Sequence, residues 1–273
     1  MPARLGQHFL TSRRALARII DAAELTSADT VLEVGPGTGF LTEALLAHAG
    51  RVIAVEKDAR LVARLIERFA AEIASGRLTL VHADIRSFAL SKYKIQDTRY
   101  KLVANIPYYL TGHLLRQFLG AETQPSRMVL MLQREVAERI VARDGKESLL
   151  SISVKAYGTP RIVARTGAGA FSPPPKVDSA VLVVENISRH FFDEYTKNVQ
   201  HSALNTIDAC SVEGRFFAVV RAGFAHKRKL LAGNLKPLIP NAREALDALG
   251  INPRARAENL TLADWRALAT HVC

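Results

Sequence analysis

The chain has 273 residues, of which 48% are hydrophobic and 23% charged, a composition that excludes a disordered tail. Its two cysteines, Cys210 and Cys273, are too few for a disulfide framework or a structural zinc site, so we predict no metal. The 37 Lys and Arg against 26 Asp and Glu give a net charge of +11, which favours a polyanion such as nucleic acid as partner, with a merely solubilising surface as an equal alternative.

The chain shows no targeting or membrane segment. Residues 1–8 lack the apolar core of a signal peptide. Nowhere does the sequence approach the roughly 20 uninterrupted apolar residues of a membrane span. We therefore predict a cytoplasmic protein with no membrane partner.

Short apolar runs alternate with helical patterns through the first part of the chain. The strand-like runs lie at 31–34, 52–55, 78–81, 101–104 and 128–132, and helical patterns lie at 41–46, 59–74 and 134–141. Repeated βα units of this kind predict an α/β fold with a Rossmann-like, doubly wound sheet. Further β-type segments at 151–157, 161–165 and 181–184 have no helical pattern between them, so we expect the sheet to end in antiparallel strands. The prolines at 173–175 predict an extended turn.

Beyond Glu185 the pattern is purely helical, at 191–208, 215–235, 243–249 and 262–272. Thr261, followed three residues later by Asp264, is typical of a capping box. We therefore predict two domains, an α/β domain at 1–188 and a small all-helical C-terminal domain at 189–273.

A glycine-rich segment follows the first strand, in the order Glu33-Val34-Gly35-Pro36-Gly37-Thr38-Gly39. Phe40 stands where the dinucleotide fingerprint needs its third glycine, which disfavours a nicotinamide or flavin cofactor. A tight glycine turn two residues after an acid instead suits S-adenosylmethionine, which carries a cationic amine and no pyrophosphate. The alternative is a purely structural strand-to-helix turn.

Acidic residues end the next two strands. Glu56 closes the run 52–55 and can accept the hydrogens of two ribose hydroxyls, and Asp84 follows the run 78–81 and can accept from an adenine amino group. Each acid alone is more often a helix cap or a solvated strand end. Three consecutive strands that each present a suitable group at one sheet edge make a stronger case together.

The fourth strand runs into Asn105-Ile106-Pro107-Tyr108, which indicates the reaction class. The Asn105 oxygen and a neighbouring main-chain carbonyl can accept both N–H bonds of an adenine amine, and Pro107 fixes the chain there. Tyr108 offers a face on which an extruded base can stack. Catalysis by orientation and electrostatics is expected. A favourable Asn-x-Pro turn is the alternative.

In this combination and order, the motifs resemble those of the ribosomal RNA small-subunit adenine N6,N6-dimethyltransferases. Members of that family methylate two adjacent adenosines in the 3′-terminal hairpin loop of small-subunit (16S) rRNA. The resemblance runs nearly end to end and includes the segments 6–10 and 171–181. It implies a Rossmann-like methyltransferase fold, with S-adenosyl-L-methionine as the cofactor of the domain at 1–188.

The resemblance, together with the strand-end motifs, predicts the residues of the site. The predicted cofactor-binding residues are His8, Leu10, Glu33, Gly35, Gly37, Gly39, Glu56, Asp84, Ile85 and Asn105. The predicted catalytic residues are Asn105, Pro107 and Tyr108, with the target base between Tyr108 and Phe171.

The C-terminal helical part separates this family from a sister group that methylates large-subunit rRNA. The segment 216–236 is similar to the small-subunit group's second domain. It contains Lys227, Arg228 and Lys229, which we predict to lie in a basic turn on a helix and to bind RNA phosphates, with a solvated helix end as the alternative. The predicted partner is small-subunit rRNA in a pre-assembled 30S-type particle, bound by a monomer. A large-subunit rRNA adenine N6-methyltransferase and a non-catalytic ribosome-assembly factor remain alternatives.

Overall fold

The computed structural model describes residues 8–93, 99–193 and 211–272. It contains two compact units, one formed by Met1–Glu138 with Thr159–Ile187 and the other by Arg139–Gly158 with Ser188–Cys273. The first unit carries the sheet and the second is helical. The second unit therefore takes a segment from the middle of the chain in addition to its C-terminal part.

The first unit is built on a mixed sheet of seven strands. Its strands are β2 (Thr30–Val34), β3 (Arg51–Glu56), β4 (Leu78–His82), β5 (Tyr100–Asn105), β6 (Arg127–Gln133), β7 (Thr159–Thr166) and β9 (Ser179–Glu185). Two short strands, β1 (Phe9–Leu10) and β8 (Phe171–Ser172), pair with each other outside this sheet. The order across the sheet is β4-β3-β2-β5-β6-β9-β7. Strands β2 to β6 are parallel, whereas β9 is antiparallel to both β6 and β7. The Rossmann-like α/β fold and its antiparallel end are confirmed.

The register of the parallel strands explains where a site can form. Val34 lies opposite Val55, Glu56 opposite His82, and Asn105 opposite Met131. All residues of β2 are buried, as expected for a parallel strand covered on both faces. The carboxyl ends of β2 to β5 therefore meet at one edge of the sheet, which is where ligands bind in open α/β folds.

Helices follow most of the strands of this sheet. They are α1 (Arg13–Ala23), α2 (Phe40–His48), α3 (Ala59–Arg68), α4 (Ala70–Ala74), α5 (Thr111–Leu119) and α6 (Arg134–Val141). The single helix predicted at 59–74 is interrupted at Phe69, whose ring is buried against the glycine segment. Asp58 caps the first of the two pieces by accepting from Arg60 N at 2.9 Å.

The strand predicted at 151–157 is wrong, because this segment forms α7 (Leu149–Lys155). Ser148 caps the helix by accepting from Ser151 N at 3.1 Å, while Ser148 N donates to the Ser151 hydroxyl at 2.6 Å. The alternating pattern of Ile152 and Val154 suggested a strand, but both residues are fully buried within this helix. The capping box and the burial override the β propensity of these branched residues.

The second unit also contains α8 (Val212–Gly223), α9 (Leu231–Leu235), α10 (Ala242–Ala248) and α11 (Leu262–Ala269). The helix predicted at 215–235 is wrong as a continuous element, since a turn at 224–230 separates α8 from α9. Most of the helix predicted at 191–208 lies outside the described residues. The capping box of Thr261 and Asp264 is confirmed, with Thr261 Oγ1 accepting from Asp264 N at 3.2 Å. No helix in the described parts of the chain has the length and apolarity to cross a membrane.

Candidate active site at the carboxyl edge of the sheet

A cleft of about 240 Å³ opens where the parallel strands end. It brings together most of the predicted site residues, namely His8, Leu10, Gly35, Gly37, Glu56, Asp84, Ile85, Asn105, Pro107, Tyr108 and Phe171. Glu33 and Gly39 do not lie on its wall, and Lys227 to Lys229 belong to the second unit. The cleft wall also includes Lys57, Arg86 and Tyr109, which the sequence reasoning missed. Lys57 directly follows Glu56 and Arg86 comes two residues after Asp84, and this nearness to predicted acids is the signal that could have identified both.

The glycine segment between β2 and α2 is held by main-chain bonds. Gly35 N donates to Val55 O at 2.9 Å, and Gly39 N donates to Pro36 O at 2.9 Å. Gly35 has φ +69°, and no described atom lies within 4 Å of the position that a Cβ would take. A ligand can therefore approach the main chain at Gly35 closely, which is one use of glycine in a binding loop.

Gly39 serves the packing of the loop rather than the cleft. It has φ +84°, and a Cβ there would stand 2.6 Å from the Phe69 ring and 2.9 Å from Leu65. Both neighbours are buried. The third glycine is therefore required by a left-handed backbone and by the approach of α3 to the start of α2.

Glu56 is buried at the end of β3 and joins that strand to the glycine segment. Its Oε1 accepts from Lys57 N at 2.8 Å and Asp58 N at 2.9 Å, and its Oε2 accepts from Gly37 N at 3.2 Å. An ionised carboxylate has about four acceptor positions. These three bonds fix the orientation of the side chain and leave room for about one ligand hydroxyl.

Asp84 follows β4 and is surrounded by cations. Its Oδ2 accepts from Arg86 Nη2 at 2.6 Å and from Lys57 Nζ at 2.9 Å, and its Oδ1 accepts from Arg86 N at 3.0 Å. The bonds from Arg86 and then Lys57 hold the pKa of Asp84 well below its usual range. Asp84 is therefore ionised at neutral pH, and a ligand amine must compete with two side chains for its oxygens.

Glu33 is a buried acid within β2, behind the glycine segment. It is 1% exposed, and neither carboxyl oxygen has a hydrogen-bond partner among the residues that the structure describes. Burial raises the pKa of Glu33 to about 8, the nearby Thr42 hydroxyl opposes the shift, and the charge of Glu56 adds to it. Without a compensating cation, Glu33 is mostly protonated at neutral pH.

The segment Asn105 to Tyr108 leaves β5 in a fixed conformation. Asn105 Nδ2 donates to His8 O at 3.4 Å, which leaves Asn105 Oδ1 to accept a bond from a ligand. Ile106 N donates to Met131 O at 3.0 Å, and Pro107 O accepts from Leu110 N at 2.9 Å. The main chain on both sides of the proline is therefore held by the neighbouring strand and by the following turn.

Tyr108 is positioned by a partner that the sequence reasoning missed. Its hydroxyl lies 3.1 Å from the hydroxyl of Ser179, a fully buried residue at the start of β9. The His8 ring stacks beside the Tyr108 ring, with 6.2 Å between the centroids. The Tyr108 ring is thus held from two sides, while Phe171 supplies a second aromatic group on the cleft wall.

The N-terminal strand forms part of the cleft through its pairing with β8. Phe9 lies opposite Ser172 and Leu10 opposite Phe171 in an antiparallel pair. His8 Nδ1 lies 2.7 Å from Pro173 O. This pairing brings both the residues at 8–10 and Phe171 to the same cleft, although they are far apart in sequence.

Lys227, Arg228 and Lys229 are exposed in the turn between α8 and α9, so their predicted placement on a helix is wrong. The physical reason lies in the buried residue Asn234, whose Nδ2 donates to Gly223 O at 2.6 Å and to His226 O at 3.1 Å. These bonds satisfy carbonyls at the end of α8 and stabilise the turn in place of helical bonds. The predicted RNA-binding role of the three residues remains a prediction.

The comparisons with known proteins show the family to which the chain belongs. The model of the family described as ribosomal RNA adenine dimethylase matches residues 2–272. A protein of Dehalococcoides mccartyi named ribosomal RNA small subunit methyltransferase A is 42% identical over 268 residues, which cover 97% of this chain and 86% of that protein. A protein of the same name from Thermosynechococcus vestitus is 37% identical over 275 residues, with 97% and 94% covered.

Two solved structures are similar over nearly the whole chain. A dimethyladenosine transferase from Plasmodium falciparum has a TM-score of 0.77 at 26% identity, with 96% of each chain covered. The 23S rRNA methyltransferase ErmE has a TM-score of 0.71 at 25% identity, with 97% of this chain and 99% of that chain covered. From the match over residues 2–272 and these relatives, the chain belongs to the ribosomal RNA adenine dimethylase family.

Proposed function

We propose that the protein is an S-adenosylmethionine-dependent enzyme that dimethylates N6 of two adjacent adenosines in the 3′-terminal hairpin loop of small-subunit rRNA. The observation that carries this proposal is the position of Asn105 to Tyr108 on the same cleft as the glycine segment and the strand-end acid Glu56. Membership of the adenine dimethylase family supports the reaction. The relatives named as small-subunit methyltransferases, at 42% and 37% identity, support the choice of subunit.

The residues of the cleft fit S-adenosylmethionine. Gly35 has an open approach to its main chain, and Glu56 has acceptor capacity for about one ribose hydroxyl beyond its three internal bonds. The carboxyl oxygens of buried Glu33 have no hydrogen-bond partner within the described residues. A cation bound on the other side of the glycine segment would stabilise the ionised form of Glu33. When bound, this cofactor supplies an electrophilic methyl group on a positively charged sulfur.

Asn105 and its neighbours orient the adenine amine. Asn105 Oδ1 accepts one N–H bond, since the amide nitrogen already donates to His8 O. Because Pro107 O is taken by Leu110 N at 2.9 Å, we assign the second acceptor to the carbonyl of Ile106. Two acceptors in these positions direct the nitrogen lone pair into the cleft, and this orientation is the main catalytic contribution of the chain.

Tyr108 and Phe171 hold the base between them. The bond between the Tyr108 hydroxyl and Ser179 holds the edge of the ring, and the His8 ring stacks beside it, so the aromatic surface is formed before the base arrives. Preformed stacking surfaces reduce the entropic cost of binding. A strong general base is not required, because the amine becomes acidic on methylation and releases its proton to water.

The second unit carries the basic residues Lys227, Arg228 and Lys229. We propose that the division near residue 188 separates methyl transfer from RNA binding, with Lys227 to Lys229 contacting phosphates. The three residues are consecutive in sequence and exposed, and they lie in a turn that hydrogen bonds from Asn234 stabilise. We further propose that the protein acts as a monomer, in the cytoplasm, on a pre-assembled 30S-type particle.

Methyl transfer to small-subunit particles from a methylation-deficient cell tests the proposal. Wild-type protein is expected to incorporate methyl groups, whereas Asn105→Ala is expected to lose at least about a hundredfold in rate because it lacks an orienting acceptor. The exposed-site variant Asn252→Ala serves as the matched control and should retain full activity. The melting temperature of Asn105→Ala should stay close to that of wild type, which shows that the variant is folded. Full activity of that variant would overturn the assigned role.

A large-subunit rRNA methyltransferase is a second candidate, favoured by the likeness to the 23S rRNA methyltransferase ErmE at a TM-score of 0.71. The two candidates share the chemistry of the cleft and differ in the RNA that is recognised. Offering purified large-subunit particles in the same assay separates them, since the proposal requires methyl groups in the small subunit alone.

A further inference from the structure

A second concave surface of the first unit lies between the start of α1 and strand β7. Its polar residues include Ser12 and Thr166, and its charged residues are Arg14, Arg18 and Arg165. We call this surface the arginine groove. It is separate from the cleft, and no aspartate or glutamate contributes to its lining among the described residues. A concave surface whose charged lining residues are all cations is suited to a polyanion.

Arg14 and Arg18 have no acidic partner among the residues that the structure describes. Both side chains are exposed, and neither forms an ion pair with any residue that the structure describes. They stand one helical turn apart on α1, a spacing at which like charges disfavour an isolated helix. Arg165 approaches them from β7 and has only a 3.6 Å contact with Glu138. Three cations are therefore gathered in one groove, and of these only Arg165 has an ion pair among the described residues.

The backbone on the other wall of the groove is accessible. Strand β7 is an edge of the seven-stranded sheet, and its pairing with β9 is irregular between Ile162 and Ala164. Bulges at sheet edges redirect side chains and often lie beside functional sites. At Gly169, no described atom lies within 4 Å of the place that a Cβ would occupy. A bulky backbone such as that of a nucleic acid can therefore approach this wall.

The arginine groove and the cleft are joined by the same short strand pair. Leu10 and Phe171 line the cleft, whereas Ser12 and Ala170 line the groove, a step of two residues or fewer along each chain segment. Thr11 N donates to Ala170 O at 2.9 Å between them. A polymer bound along the groove would therefore pass directly beside the predicted pocket of the target base.

We propose that the arginine groove binds the phosphate backbone of the rRNA next to the methylated adenosines. This proposal rests on the proposed function and adds a contact on the catalytic unit itself, independent of Lys227 to Lys229. Arginine is suited to this role because its planar guanidinium binds phosphate oxygens in a bidentate manner.

Binding of unmethylated small-subunit particles at several salt concentrations tests the proposal. In Arg14→Gln/Arg18→Gln, two phosphate contacts are lost, which at a slope of about 0.7 per contact predicts about 25-fold weaker binding at 0.1 M salt. The plot of log K against log salt should become shallower by about 1.4. The matched control is Arg64→Gln/Arg116→Gln, which removes two exposed helical arginines from the same unit, outside both the cleft and the groove.

The control should bind within about twofold of wild type. Equal weakening of both double variants would mean that only net charge matters and would overturn the proposal, as would unchanged binding by the groove variant. If the groove variant bound phosphatidylserine vesicles more weakly than wild type but bound particles equally well, the groove would be assigned to a membrane surface. That result would also overturn the proposal. Methyl transfer is not the readout, so particles that bind but are not methylated would refute the proposed function alone. Melting temperatures confirm that both variants fold.

Discussion

The buried acid Glu33 gives the sharpest prediction about stability. The substitution Glu33→Gln keeps the shape of the side chain and removes its ability to ionise. Burial raises the pKa of Glu33 from 4.5 to about 8. The folded state therefore holds a proton that the unfolded state has released, and wild-type stability is fully present below pH 4.5 and falls as the pH rises towards 8.

The magnitude follows from the difference between the two pKa values. At pH 7 the wild type is 2.5 pH units above the ordinary value of 4.5. At 1.36 kcal/mol for each pH unit, this costs the folded state about 3 kcal/mol. Glu33→Gln does not have this cost, although its buried amide adds an offset that is independent of pH. The free energy of unfolding of the variant relative to wild type should therefore increase by about 3 kcal/mol between pH 4.5 and pH 7.

Urea denaturation, followed by circular dichroism at pH 4.5, 5, 6, 7 and 8, measures this difference. The matched control is Glu67→Gln, which makes the same substitution at an exposed position of α3. A difference between Glu33→Gln and wild type that stays constant over the same range would show that Glu33 is not held protonated, and would refute the reasoning.

Three further substitutions test particular contacts, and a fourth, Gly112→Ala, is a control for the first of them. Gly39→Ala should lower the free energy of unfolding by about 2–4 kcal/mol, because it combines a left-handed backbone with a Cβ contact at 2.6 Å; Gly112→Ala, in an open helical position, should stabilise by up to about 1 kcal/mol. Ser179→Ala, which removes the partner of Tyr108, should reduce the methyl-transfer rate severalfold while calorimetry shows unchanged cofactor affinity; an equal loss of both would indicate general misfolding. Asn234→Ala should lower the free energy of unfolding by about 1–3 kcal/mol and weaken particle binding, since the carbonyls of Gly223 and His226 each lose the Asn234 donor and, among the described residues, only that of His226 keeps another, from Lys229 N; binding equal to wild type would separate the turn from RNA recognition.

Much of the fold was predictable because its signals are local. The five parallel strands each form an apolar run, and the glycine segment and the acid Glu56 mark where two of those strands end. Because parallel strands place their carboxyl ends at one edge, the cleft follows from the order of these motifs. The position of Asn105 at this edge follows by the same reasoning.

The failures arise where distant contacts decide the local structure. The segment 151–157 has the alternation of a strand, but the Ser148 cap and burial in the second unit make it helical. The break before Leu231 depends on the bonds from buried Asn234 to two carbonyls. In neither segment did the local pattern of apolar residues indicate the outcome.

In the candidate site, too, the features that the sequence did not predict depend on contacts between distant parts of the chain. Ser179 supports Tyr108 from a strand about seventy positions later in the chain, and Arg165 meets Arg14 only because β7 lies beside α1. The pKa of Glu33 depends on complete burial behind the glycine segment, which an acidic residue in a sequence does not reveal. These features need the three-dimensional arrangement.

The most direct test of the central claim is mass spectrometry of adenosines in ribosomal RNA from cells with and without this protein. The account predicts N6,N6-dimethyladenosine at two adjacent positions of the 3′-terminal hairpin loop of small-subunit rRNA, present with the wild-type protein and absent with Asn105→Ala. Dimethyladenosine in large-subunit rRNA instead, or an unchanged small-subunit signal when the protein is removed, would contradict it.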